Sequence, residues 1–148
     1  MYRDTITLFN RCVDSSGNTM WFPHVFKGVN LIVDKAVMVS KYGAENKDNA
    51  VLNVKYNLDG KNIDIDKKLY LEPTQWRQQT EDLQPDILTF KAGNDFDFFM
   101  LGDYGSEETV IDADDTFFRE IQKQYDNVFA ITSVSRYSVI PHFEILGK

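Results

Sequence analysis

The sequence predicts an α+β fold, mainly β: a small antiparallel β-barrel or sandwich with one amphipathic helix over about 115–126. Three observations lead there. Short segments of alternating apolar and polar residues recur along the chain, each bounded by turn-forming residues. Aromatic residues reach 14%, with eleven Phe, seven Tyr and two Trp, and such side chains pack well on a pleated surface. Only one stretch, DTFFREIQKQYD, repeats its apolar residues at spacings of three and four.

Taken in order, TITLFNRC (residues 5–12) is a first strand. The turn Asp14-Ser15-Ser16-Gly17-Asn18 leads into TMWFPHVF, the second arm of a hairpin. Pro23 has no amide proton to donate, so that arm is expected at an edge or with a bulge. Gly28 marks a corner, after which VNLIV and KAVMV read as short strands or one bent strand. SKYGAENKDN, 40–49, is polar and turn-rich, which suits a long exposed loop. AVLNVKY, 50–56, alternates, and Asn57-Leu58-Asp59-Gly60 supplies a turn into KNIDI. LYLEP is a strand, and Pro73 opens a helix of one or two turns, since proline suits a first helical turn. ILTFK and DFDFFML are two further strands. The second sets Phe96, Phe98 and Met100 against Asp97 and Phe99, and aromatic residues on both faces imply burial on both.

In the helix, Phe117, Phe118, Ile121 and Tyr125 form one stripe while Arg119, Glu120, Lys123 and Gln124 face outward; Asp114 or Asp115 can cap its start. NVFAITSVSRY and PHFEIL close the chain as strands. In the last, His142 and Glu144 share one face, with Phe143 and Ile145 in the core. Gly147-Lys148 ends a strand that could pair with a neighbouring subunit's edge.

With 148 residues and no linker or low-complexity run, one domain over 1–148 is expected. A single cysteine, Cys12, excludes an internal disulfide and a cysteine-based zinc site, and points to a reducing compartment. No apolar stretch suits a signal peptide or a membrane span. The net charge of −7 disfavours a generic nucleic-acid binder, which needs clustered Lys and Arg. Yet a passage through which DNA slides benefits from like charge, which prevents sticking. Residues 92–118 hold eight acidic residues and no Lys or Arg.

The chemical motifs fail on spacing. Neither Asp112-Ala113-Asp114-Asp115 nor 59–64 has the ligand order of a calcium loop. No G-x-x-x-x-G-K-S/T, G-x-G-x-x-G or G-x-S-x-G occurs. Cys12 and His24 have nothing to bring them together, and Trp21, Phe22 and Trp76 are expected in the core rather than as a binding platform. No catalytic, cofactor-binding or metal-ligating residues are expected, hence no enzyme.

Five pieces in order, TLFNRC at 7–12, WFPHVFKGV at 21–29, GAENKDNAVLNV at 43–54, YLEPTQW at 70–76 and HFEILGK at 142–148, resemble a family of small structural proteins of tailed phages and prophages of Gram-positive bacteria. The resemblance runs nearly end to end and implies a head-closure, or stopper, protein. Such a protein is a β-barrel-like virion subunit made in the host cytoplasm and assembled at the head–tail joint as a homo-oligomeric ring, a hexamer or dodecamer. Its implied partners are portal or adaptor and tail proteins, with DNA passing through without specific binding and no membrane. Asp95, Asp97, Glu107 and Glu108 are then candidate lumen residues, and Tyr42, Asn46, His142 and Glu144 candidate interface residues. The alternatives are a tail-terminator or adaptor subunit at the same joint, or a small acidic inhibitor that mimics DNA.

Overall fold

A computed structural model of the chain describes residues 2–34 and 49–148. The expected strand at 35–39, most of the expected loop at 40–49, and Tyr42 and Asn46 lie outside these residues.

The first hairpin joins β1 (Asp4–Val13) to β2 (Thr19–Val33), with Ile6 opposite Phe26, Leu8 opposite His24 and Cys12 opposite Met20. Its turn is held by the Asp14 carboxylate, which accepts hydrogen bonds from the Ser16 and Asn18 amides. Gly28, at φ 74°, is the extra residue where the register shifts between Asp4–Val29 and Thr5–Lys27. A residue with a Cβ is strained at this φ, so the corner of a fifteen-residue strand falls on glycine.

The remaining strands are β3 (Ala50–Lys55), β4 (Asn57–Asp59), β5 (Asn62–Ile65), β6 (Lys68–Tyr70), β7 (Phe98–Leu101), β8 (Val110–Asp112), β9 (Val128–Tyr137) and β10 (His142–Gly147). The helices are α1 (Pro73–Arg77) and α2 (Phe117–Gln124). The large sheet is antiparallel throughout, in the order β1-β7-β9-β10-β3-β2-β8, and β1 also pairs with β2. Six strands thus form a cycle of ladders that returns to its start. β2 uses one edge for β1; on the other it pairs with β8 at Thr19 to Trp21 and with β3 at Val29 to Val33. Pro23 falls between those two pairings, at an edge as its missing amide proton demands. The strands β4-β5-β6 make a second, small sheet.

The mixed α+β character with a mainly antiparallel sheet and few short helices is as the pattern predicts. One cluster holds Ile6, Leu8, Phe26, Leu52, Val54, Phe99, Phe129, Phe143 and Ile145, joined by Ile63, Ile65 and Tyr70 of the small sheet. The Phe143 ring lies 4.7 Å from Tyr70, 5.1 Å from Phe90 and 5.2 Å from Tyr56. A second cluster joins Phe9, Trp21, Phe98 and Met100 to Phe117 and Ile121 of α2. β7 therefore buries both faces, Phe99 in the first cluster and Phe98 with Met100 in the second. Each such aromatic side chain contributes about 1.5–3 kcal/mol on burial.

Four expectations need correction. Residues 87–91 are buried but form no strand, because their ladder is a single bridge from Leu88 to Tyr70. α2 begins at Phe117, since Asp115 at φ 56° cannot be helical. Its N-cap residue is Thr116, whose own side chain makes no cap bond; Asp112 takes that part, its carboxylate accepting from the Thr116 and Phe117 amides and from Trp21 Nε1. β8 was not expected at all, as three residues are too few to show a period. Gly147-Lys148 are not a free edge: Gly147 pairs with Ala50 on one side and Ile131 on the other, and Lys148 exchanges both backbone hydrogen bonds with Ala130.

Candidate functional site

The acidic run of 92–118 divides into buried structural carboxylates and surface ones. Asp97 opposes the reading of it as a lumen residue, for it is wholly buried. Its carboxylate accepts from the Arg11 amide at 2.7 Å, the Lys91 amide at 2.8 Å and Asn10 Nδ2 at 2.9 Å, and pairs with Lys91 Nζ at 2.9 Å. Lys91 Nζ also lies 4.0 Å from the centre of the Trp76 ring. Burial raises the Asp97 carboxyl above its ordinary value, and Lys91 with the amide donors offsets only part of that rise. Every contact donates to it, so the ionised form is the one this site is built for. The alternation of β7 already contained the signal: a face that takes Phe99 into the core takes Asp97 with it.

Asp95 is half-buried on the Gly93–Asp95 turn and ion-paired to Arg11. Glu107 is exposed and paired with Lys68 of β6, and Glu108 is exposed. Asp103, Asp114 and Asp115 are likewise at the surface, Asp115 at 3.9 Å from Arg11. The structure does not bring the four proposed lumen carboxylates into one group: Asp97 faces the core while Asp95 and Glu107 answer different cations.

Lys68 Nζ also lies 3.3 Å from Nδ1 of the buried His24. The ammonium donates, so Nδ1 accepts and the ring proton sits on Nε2. Burial first, then Lys68 and Lys91, push the imidazole down to about 3, so His24 is neutral at ordinary pH. Cys12 does not meet it: Sγ faces Gln84 Oε1 at 3.3 Å, and burial pushes the thiol up. Neither residue is arranged as a nucleophile and base. Trp21, Phe22 and Trp76 are all buried, in keeping with a core rather than a platform.

His142 and Glu144 share the outer face of β10, both half-buried, opposite Lys55 and Asn53 of β3. His142 stacks on Tyr137 with ring centres 4.8 Å apart and 13° between planes, and its Nδ1 lies 2.6 Å from the Ile140 carbonyl. These contacts brace the turn of the β9–β10 hairpin. At its tip, Val139 is 95% and Ile140 72% exposed. That pair was missed in the sequence, although an apolar dipeptide between Ser138 and Pro141, where turn residues are polar, is a readable signal.

A polar cleft of about 460 Å³ lies between α1, the small sheet and Arg136, with Glu72, Gln75, Gln79, Lys61 and Asn62 in its lining. Glu72 accepts from Tyr70 Oη at 3.3 Å and pairs with Arg136 at 3.5 Å. Burial pushes the Tyr70 phenol up, which keeps it protonated. Among the described residues no group of three or more His, Cys, Asp or Glu could hold a metal ion, and no helix is long and apolar enough to cross a membrane.

The model of a family of unknown function, DUF6751, matches residues 1–148. The chain belongs to that family. No curated protein and no solved structure matches it.

Proposed function

We propose that this member of the family is a phage head-closure, or stopper, subunit that assembles as a ring around the DNA channel at the head–tail joint. The observation that carries the reading is the cycle of six antiparallel ladders, which we read as a small β-barrel with α2 packed outside it. The five resembling segments supply β1, β2, β3 and β10, and the start of α1. A rigid body of this kind, with exposed carboxylates at Asp103, Glu107, Glu108 and Asp114, suits a subunit that must not adhere to passing DNA. A tail-terminator or adaptor at the same joint remains the neighbouring reading; it would bind tail tube protein without DNA-filled heads. A DNA mimic fits less well, because within 92–118 Asp97 and Asp112 are buried and Asp95 and Glu107 are paired with cations, which breaks up that run as a free acidic stripe.

Electron microscopy of phage particles carrying a labelled copy of the chain tests this. The expected label lies at the head–tail joint. A label on the capsid shell or tail fibres, or none on the particle, would overturn the proposal.

A further inference from the structure

We infer that Lys91 and Asn10 join in an isopeptide bond inside the folded chain, with Asp97 as the group that moves the protons. The backbone brings the three residues together. Ile6, Thr7, Leu8 and Phe9 of β1 pair with Leu101, Met100, Phe99 and Phe98 of β7, and one step further along this register Asn10 comes level with Asp97. Lys91 and Asp97 are tied through the main chain as well. The Asp97 amide donates to the Lys91 carbonyl at 2.9 Å, and the Lys91 amide donates to Asp97 Oδ2 at 2.8 Å. Each oxygen of this carboxylate then carries one side-chain nitrogen, Lys91 Nζ at 2.9 Å from Oδ1 and Asn10 Nδ2 at 2.9 Å from Oδ2. All three side chains are shut off from water, and the Trp76 ring covers Lys91 Nζ at 4.0 Å.

Within this group the amine that would attack and the oxygen of the amide it would attack are both left over. Lys91 Nζ has no aligned hydrogen-bond acceptor despite its closeness to Asp97, and Asn10 Oδ1 has no donor. A buried ammonium so poorly solvated gives up its proton readily. Asp97 takes that proton, since burial already raises this carboxyl. The desolvated amine is then a nucleophile held beside an acyl carbon. Its lone pair attacks Asn10 Cγ, and the carbonyl electron pair moves onto Oδ1. Asp97 passes its proton to Asn10 Nδ2 and takes another from the new Nζ–Cγ nitrogen, acting as acid and then as base. The Cγ–Nδ2 bond breaks, its electrons leave with nitrogen as ammonia, and the carbonyl re-forms. The products are one amide, one ammonia and a neutral Asp97, so no charge remains in the core and no co-reactant is consumed. The ion pair is the state from which the bond forms. The bond would tie β1 to residues 87–91, whose ladder is a single bridge. Like a disulfide, it would close a long loop and constrain the unfolded chain.

The inference stands apart from the stopper reading, and mass spectrometry of the purified full chain tests it. The denatured chain is expected to weigh less than its sequence by one ammonia. Trypsin locates the loss. Lys91 held as an amide is no longer a cleavage site, so residues 4–11 are expected joined to residues 78–119 in one branched peptide. Asp97→Ala and Lys91→Met are expected to keep the full mass. Asn10→Asp keeps an acyl carbon in place and is expected to lose water instead of ammonia. Because a buried variant can fail to fold, the wild-type digest is decisive by itself. A wild type of full mass, or peptides 4–11 and 78–91 free with no branched product, would overturn the inference. So would loss of water from the wild type, which would join Lys91 to Asp97. Continued loss of ammonia from Asn10→Asp would place the reaction at another residue and overturn it equally.

Discussion

Asp97 and Lys91 neutralise each other in a space closed to water, with Asn10, the Arg11 amide and the Lys91 amide completing the carboxylate's shell. Removing one charge strands the other, so Asp97→Ala is expected to cost about 3–5 kcal/mol in urea unfolding. Asp97→Asn leaves Lys91 unneutralised but keeps an acceptor, and adding Lys91→Met should recover part of the loss. A double variant less stable than Asp97→Asn alone would show that the ion pair is not the source of the cost. His24 supplies a pH dependence of definite sign. Its imidazole falls from 6.5 to about 3 on folding, so between those values the unfolded chain binds the extra proton. The stability of the neutral form is complete above about pH 6.5 and drains as pH falls, by up to about 1.4 kcal/mol per unit. Between pH 7.5 and 5.5 the wild type should lose about 1 kcal/mol more than His24→Leu. Parallel losses in the two proteins would refute the assignment.

At the scale of elements, β10 changes most from what its sequence implies. Its alternation correctly places Phe143 and Ile145 inward and His142 and Glu144 outward, because side-chain period is a local property of an extended backbone. Whether a strand lies at an edge is not local, and β10 proves to have β9 and β3 on its two sides. Gly147 is packed accordingly: a Cβ there would stand 2.9 Å from Phe129 Cβ and 3.2 Å from the Ala130 carbonyl oxygen, both anchored close to backbone. Gly147→Ala is therefore expected to destabilise by about 1–3 kcal/mol, as overpacking does. A thermal midpoint equal to the wild type's would contradict this packing. For α2 the stripe was readable at Phe117, Phe118 and Ile121, whereas Tyr125 lies past the helix end at Gln124 in extended backbone and is exposed, and the cap was not readable. Asp112, Asp114 and Asp115 are chemically equal as caps, and Asp112 is selected because Trp21 Nε1 reaches its carboxylate from β2, 91 residues away.

For the whole molecule, the proposed lumen role needs a revised test that spares the core. Asp103→Asn, Glu107→Gln, Glu108→Gln and Asp114→Asn change surface carboxylates only and should leave the thermal midpoint nearly unchanged. Particles carrying all four are expected to retain or eject DNA less well than wild type. Fully infectious particles with normal DNA content would remove the lumen assignment.

Composition, alternation and turn residues determined the α+β, mainly β class, the helix stripe, the inward residues of β3, β7 and β10, and the edge position of Pro23. All of these follow from backbone periods or from a missing donor, which a few neighbouring residues suffice to express. Only the tertiary structure decided that six ladders return to their start, that residues 87–91 fill the interior without becoming a strand, and that Asp97 belongs to Lys91 rather than to the surface. It also decided that Val139 and Ile140 stand outside every core. Each of these depends on which distant segments meet, and pairing across tens of residues is set by the packing of the whole chain, not by any local period.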